Sequence, residues 1–104
     1  MSTITNVTID KAANIYFEGD VTSRSVTLED GTHLTLGIMM PGEYEFNTQD
    51  AEKMEVTSGQ LFVLLPEQTS WQEISGGQTF YVPSNSRFKV KVRTITDYCC
   101  SYLS

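Results

Sequence analysis

Two stretches decide the fold: EKMEVTSG at residues 52–59 and GQTFYVP at residues 77–83. In the first, a carboxylate opens a run in which Met54 and Val56 share a face, and Ser58-Gly59 marks a tight turn. Side chains on a strand alternate with period two, so Glu52 falls on the side of Met54 and Val56, and Glu55 on the other. In the second, Gly77 starts a strand and Pro83 stops it. Glycine suits a turn whose φ must be positive, and proline ends a strand because it has no N–H to give to the ladder. Each stretch reads as one strand with its boundary written into it.

The same grammar extends outward along the chain. Thirteen Thr, eight Val and eleven aromatics suit half-buried strands. Turn signals separate them at intervals of ~8–12 residues: EGD at 18–20, EDG at 29–31, PG at 41–42, SG at 58–59, PE at 66–67, GG at 76–77 and PSNS at 83–86. The Asp-Gly pair at 30–31 favours a hairpin turn. Strands are expected at 14–17, 21–28, 33–40, 44–47, 52–57, 61–65, 70–74, 79–82, 88–92 and 98–103, and the helix-like window at 48–54 is too short to matter. Residues 1–13 read as an arm or one short edge strand, and residues 14–104 as one domain. Many short strands with no helix to cover a sheet must close on themselves, which predicts an all-β barrel or double-sheet, jelly-roll-like sandwich.

Composition narrows the function classes. At 104 residues the chain suits one domain, and its 39% hydrophobic and 19% charged content are those of an ordinary globular one. A net charge of −6 argues against nucleic-acid or anionic-membrane binding, which needs basic patches. No apolar run approaches ~18 residues, and the opening MSTITNVTID lacks the basic and apolar regions of a secretory signal. Cys99 and Cys100 are adjacent, poorly placed to bridge, and read as free thiols of a reducing cytoplasm. A single histidine, His33, excludes a metal site built from several imidazoles.

Alternation assigns faces elsewhere. Phe88, Val90 and Val92 share one face and Lys89, Lys91 and Arg93 the other, the basic row reading as a solvated outer face or an anion-binding surface. Leu34, Leu36 and Ile38 form one face of their own strand.

Taken together and in order, the frames at 52–59 and 77–83 resemble the two signatures of the cupin fold, which implies a single cupin-type β-barrel. Metal-binding cupins carry a His-x-His pair before the glutamate and a further His after the proline. Here the corresponding stretch, GEYEFNT, offers Glu45 and Asn47 in one register, and Phe88 stands at the last position. A phenyl ring cannot ligate, and Glu45 with Glu52 falls short of the six or so oxygens a hard cation takes. A metal-free site with no cofactor is expected.

A more specific resemblance covers residues 16–103. The run MMPGEYEFNTQDAEKMEVTSGQLFVLLP, the lone Trp71, FYVPSNSRF and the terminal DYCCSYL are similar to the small cupin-fold pyrimidine/purine nucleoside phosphorylases. The resemblance implies phosphorolysis of purine and pyrimidine nucleosides to free base and pentose 1-phosphate, with orthophosphate as co-substrate. It also implies a homodimer in the bacterial cytosol, and the acidic balance argues against a nucleic-acid or membrane partner. The competing expectation is a non-enzymatic cupin-type small-molecule-binding or dimerisation module.

That chemistry needs a cation or N–H donors for phosphate, negative charge near an oxocarbenium-like centre, and a proton for the leaving base. With seven Lys and Arg in the chain, Arg24 and Arg87 are the phosphate candidates, Arg87 being preceded by the polar Ser84-Asn85-Ser86. Ser86 joins them as a substrate-binding candidate, and His33 is the candidate proton donor. Glu45 is the expected catalytic carboxylate and Glu52 an inward, substrate-binding one. Tyr44 and Tyr98 are the candidates for stacking on the base, since every base presents a π-face.

Overall fold

The computed structural model describes residues 3–103. Eleven strands follow one another: β1 (Thr8–Ile9), β2 (Asn14–Tyr16), β3 (Val21–Thr27), β4 (His33–Met39), β5 (Gly42–Asn47), β6 (Glu52–Ser58), β7 (Gln60–Leu64), β8 (Gln72–Ser75), β9 (Thr79–Val82), β10 (Arg87–Val92) and β11 (Thr96–Tyr102). All ten expected strands form, with ends displaced by at most two residues. The arm expected at residues 1–13 contributes a two-residue edge strand, β1, on β3; Met1 and Ser2 lie outside the described residues.

The strands make two antiparallel sheets. The larger runs β1-β3-β4-β11-β6-β9 with β2 also on β3, and the smaller runs β5-β10-β7-β8. One core joins them: Val21, Met39, Met54, Val56, Phe80 and Tyr98 from the larger sheet meet Tyr44, Leu61, Val63, Ile74, Phe88 and Val90 from the smaller. Phe88, Val90 and Val92 are all buried, with Lys89 and Arg93 exposed on the other side. Leu34, Leu36 and Ile38 share the outer face of the larger sheet, where Leu36 and Ile38 are exposed.

The two stretches that announced the fold are neighbours in space. Strand β6 pairs with β9 from Glu52↔Val82 to Glu55↔Thr79. Their glycine turns are stitched together, the Gly76 N–H donating to the Gly59 carbonyl at 3.1 Å and the Gly77 N–H to the Val56 carbonyl at 2.8 Å. Gly59 has φ +99°, and a Cβ there would meet the Ile95 carbonyl at 2.5 Å and Thr96 Oγ1 at 2.6 Å. Here glycine is required twice over, by conformation and by space.

One turn of 3-10 helix at Phe17–Gly19 was not expected from the sequence. Its three residues all have positive φ (51°, 57° and 101°), although two are not glycine. The Phe17 ring packs on Tyr44 at 4.9 Å and edge-on to Phe46 at 5.5 Å, and such contacts offset part of the backbone strain.

Candidate active site

Between the sheets lies a cavity of about 460 Å³, within the ~300–1,000 Å³ common for small-molecule sites. Strand alternation builds it. From β6 it takes Glu52 and Met54, from β11 Tyr98, Cys100 and Tyr102, and from β3 and β4 Ser23, Thr35 and Met39. The smaller sheet adds Phe46, Asn47 and Phe88, the loop after β5 adds Thr48, Gln49 and Asp50, and Tyr16 closes one side. The result has aromatic walls, a set of hydroxyls and two carboxylates. No Lys, Arg or His lines it among the described residues.

Burial sets the protonation of these groups. The Glu52 carboxyl is held above the ordinary glutamate value mainly by desolvation and further by the charge of Asp50, with a hydrogen bond from Cys100 opposing the rise. Cys100 is pushed well up by burial and then by Glu52, which leaves it an unreactive thiol. The Tyr98 phenol is raised for the same first reason, and Tyr102 is pushed up to about 12, again chiefly by burial. At neutral pH the phenols are therefore neutral hydrogen-bond donors. Tyr98 owes its position to Gly37, where a Cβ would collide with the Thr22 carbonyl and come within 2.7 Å of the phenol's Cζ and Oη. The freed space lets the Tyr98 hydroxyl donate toward the Thr22 carbonyl at 3.4 Å.

Beside the cavity is a wider, shallower depression of about 610 Å³, lined by Asn47, Thr48, Pro66, Asn85, Ser86 and Arg87. Asn47 and Thr48 border both spaces. Thr48, 6% exposed, ties the partition together: its hydroxyl donates to the Pro83 carbonyl at 2.8 Å and accepts from the Ser86 N–H at 3.0 Å. The Thr48 N–H donates to the Ser86 carbonyl at 2.8 Å, and the Ser86 hydroxyl to the Pro83 carbonyl at 2.7 Å.

The structure brings some of the sequence candidates together and leaves others apart. Glu52 and Tyr98 line the cavity, and Arg87 and Ser86 line the depression beside it. Glu45 does not reach the cavity. Alternation along β5 buries Tyr44 and turns Glu43 and Glu45 out, opposite Lys91 and Lys89 of β10. Tyr44 is a core residue whose hydroxyl donates to the Met40 carbonyl at 2.7 Å, and it lines neither space. Arg24 is exposed, flanked by inward Ser23, and its Nε donates to the Lys11 carbonyl at 3.2 Å. His33 is exposed at the start of β4, its Nδ1 3.2 Å from the Thr27 hydroxyl. Tyr16, Thr48 and Asp50 were not anticipated. Thr48 and Asp50 fall in a polar loop and Tyr16 in a short edge strand, where alternation gives little guidance.

At the position where the cupin signature expected from the sequence has its last histidine, Phe88 stacks on Phe46 with centroids 5.5 Å apart. Among the described residues no three His, Cys, Asp or Glu side chains come together to hold a metal ion.

The double-sheet β-fold around this cavity is of the cupin type. The architecture is similar to that of an RmlC-like cupin from Shewanella frigidimarina NCIMB 400, with TM-score 0.68 and 13% identity over 85% of this chain and 79% of that one. It is more similar to a protein of unknown function from Acinetobacter sp. ADP1, with TM-score 0.93 and 38% identity over 96% and 97% of the two chains. In sequence the chain is 58% identical over 103 residues to the pyrimidine/purine nucleoside phosphorylase of Geotalea uraniireducens, covering 99% of each. The family described as pyrimidine/purine nucleoside phosphorylase matches residues 11–102, and the chain belongs to that family.

Proposed function

We propose that this protein catalyses phosphorolysis of both purine and pyrimidine nucleosides, without a metal and with orthophosphate as its co-substrate. Family membership across residues 11–102 carries the reading. The cavity supports it by offering aromatic faces for a base, and hydroxyls with carboxylates for a pentose. The C1′–N bond breaks with its electron pair passing to the base nitrogen, and a phosphate oxygen forms the new C1′–O bond. The proton of hydrogen phosphate ends on the departing base, so charge and atoms balance. Glu52 is assigned to the sugar hydroxyls and the developing positive charge, and Tyr98 to hydrogen bonding within the cavity. Breadth of base follows from stacking against Phe46, Phe88 and Tyr16, because stacking tolerates any base whereas edge-on hydrogen bonds discriminate.

The test is release of uracil from uridine and of hypoxanthine from inosine, followed with and without phosphate in the presence of EDTA. Phosphate-dependent release of both is expected. Release abolished by EDTA would remove metal independence, and release of one base alone would remove the breadth. The cation-free cavity favours one competing reading, a non-enzymatic binding module; nucleoside binding with no turnover at any phosphate concentration would establish it.

A cytosolic homodimer belongs to the same proposal. It is supported by the exposed Leu36 and Ile38 beside half-buried Cys99 on the outer face of the larger sheet. A monomer mass in solution scattering would contradict it.

A further inference from the structure

We propose that the depression lined by Arg87, Asn47 and Asn85 is the orthophosphate subsite, and that it meets the nucleoside cavity along the border formed by Asn47 and Thr48. The inference rests on the phosphorylase reading and adds where the second substrate sits. Its first support is charge. The larger cavity presents Asp50 and Glu52 and no cation, so an anion there would meet like charge on a partly desolvated surface. Across both spaces Arg87 is the one Lys, Arg or His among the described lining residues. Its guanidinium makes no ion pair among them, the ion pair found being Lys53–Glu55 at 3.6 Å. An exposed guanidinium with no carboxylate of its own presents its full fork to an incoming anion.

The second support is geometric. Arg87 and Asn47 are cross-strand partners on β10 and β5, so a guanidinium and a primary amide sit side by side on paired backbone. Asn85 adds a second amide from a residue at φ 51°, a conformation an asparagine adopts more readily than most side chains. The third is continuity. Asn47 and Thr48 border both spaces, so an anion on the Arg87 side and a pentose on the Glu52 side approach one another at that wall. The Thr48 hydroxyl is fully engaged with Pro83 and Ser86, which makes it a positioning residue for the 83–86 loop, not a ligand.

The experiment is steady-state phosphorolysis of uridine with phosphate and nucleoside varied separately, in wild type, Arg87→Ala, Arg87→Lys and Arg24→Ala. Arg87→Ala should raise the phosphate KM by about tenfold to a hundredfold, the loss expected for a charge-assisted donor, while the uridine KM moves less than about twofold. Arg87→Lys should recover part of the loss, since it keeps charge and loses the fork. Arg24→Ala should match wild type. An unchanged phosphate KM in Arg87→Ala, or a shift in Arg24→Ala instead, overturns the subsite. Equilibrium dialysis with labelled orthophosphate separates the two readings if wild type proves inactive. Retention lost in Arg87→Ala then keeps the anion site while the phosphorylase reading falls, and no retention by wild type overturns the site itself.

Discussion

Replacing Gly37 by alanine tests whether the packing around Tyr98 is what holds the cavity open. The new Cβ would press on the Thr22 carbonyl of the neighbouring strand and lie 2.7 Å from Cζ and Oη of Tyr98, distances real Cβ atoms do not tolerate. The carbonyl is backbone within a paired ladder, Ser23 lying opposite Gly37, so it cannot simply rotate away. Overpacking of this kind costs about 1–3 kcal/mol. Moving the phenol also loses its bond to Thr22, worth about 0.5–1.5 kcal/mol, for a total of about 2–4 kcal/mol. With a urea m-value of about 1–3 kcal/mol/M for a small domain, the midpoint of unfolding should fall by about 0.7–4 M. In a Tyr98→Ala background part of that cost should vanish, giving a coupling above about 0.5 kcal/mol. Equilibrium unfolding by urea, followed through Trp71 fluorescence, reads both numbers. A Gly37→Ala variant within about 0.5 kcal/mol of wild type would refute the reasoning, because the strands would have parted at no cost.

The same packing sets further expectations. Gly59→Ala should destabilise by at least about 2 kcal/mol, since it combines a left-handed φ with a clash, whereas Gly77→Ala, at φ +92° with open space around it, should cost only about 1–2 kcal/mol; equal losses in thermal unfolding would contradict this. Glu52 is raised above the ordinary glutamate value of 4.5, so the native state keeps its proton to higher pH than the unfolded chain does. Its stabilising contribution is therefore complete below that value and is lost as pH rises through the folded-state pKa. Unfolding free energies measured from pH 4 to 8 should show wild type losing ground to Glu52→Gln across that window, and a difference that grows the other way would be decisive against it. Thr48→Val keeps shape but leaves the Ser86 N–H without its acceptor, and should cost about 1–3 kcal/mol and speed proteolysis of the 83–86 loop. Burial raises both thiols, so Cys100 should resist iodoacetamide at pH 7.5 in the folded protein and react on unfolding; rapid labelling of the folded chain would show the thiol is accessible.

The fold was legible in the sequence because its signals are local. Gly59 is forced by its own turn, Pro83 ends its own strand, and the alternation of Phe88, Val90 and Val92 depends on no partner. Glu52 could be turned inward by counting from Met54 and Val56, and the structure places it so. The site was less legible because seven strands and a loop contribute to it. Glu45 shows the difficulty. The run from Gly42 to Asn47 alternates carboxylates with aromatics, and which set faces in is settled by pairing with β10, where Glu45 meets Lys89 and Tyr44 meets Val90. A ladder of matched opposite charges on the outer face was present in both segments, but it becomes evidence only once they are placed side by side. Arg24 failed to reach the cavity for a similar reason, Val21 and Ser23 holding the inward register of β3. A turn was signalled by Glu18-Gly19-Asp20, but its left-handed form had no local signal, because phenylalanine and glutamate rarely adopt positive φ and do so here under tertiary contacts.

The Phe46–Phe88 stack has a consequence for the proposed chemistry. With two phenyl rings there, the charged residues lining the cavity among the described residues are Asp50 and Glu52, with no Lys, Arg or His beside them. Hydrogen phosphate brought into it would then be opposed by Asp50 and by any ionised fraction of Glu52. The proposed subsite relieves the conflict by holding the anion at the guanidinium of Arg87, in the depression that shares Asn47 and Thr48 with the cavity. On this reading, acidifying the phosphate side with Arg87→Glu should weaken phosphate more than Arg87→Ala does, by like-charge repulsion at short range. The gap between the two variants should shrink as ionic strength rises from 0.01 to 1 M, because the depression is open to solvent and the Debye length falls from about 30 Å to about 3 Å. Phosphate KM values for the two variants across that range measure the effect directly. A gap that does not respond to salt would mean that Arg87 acts through the shape of the 83–86 loop and not through its charge.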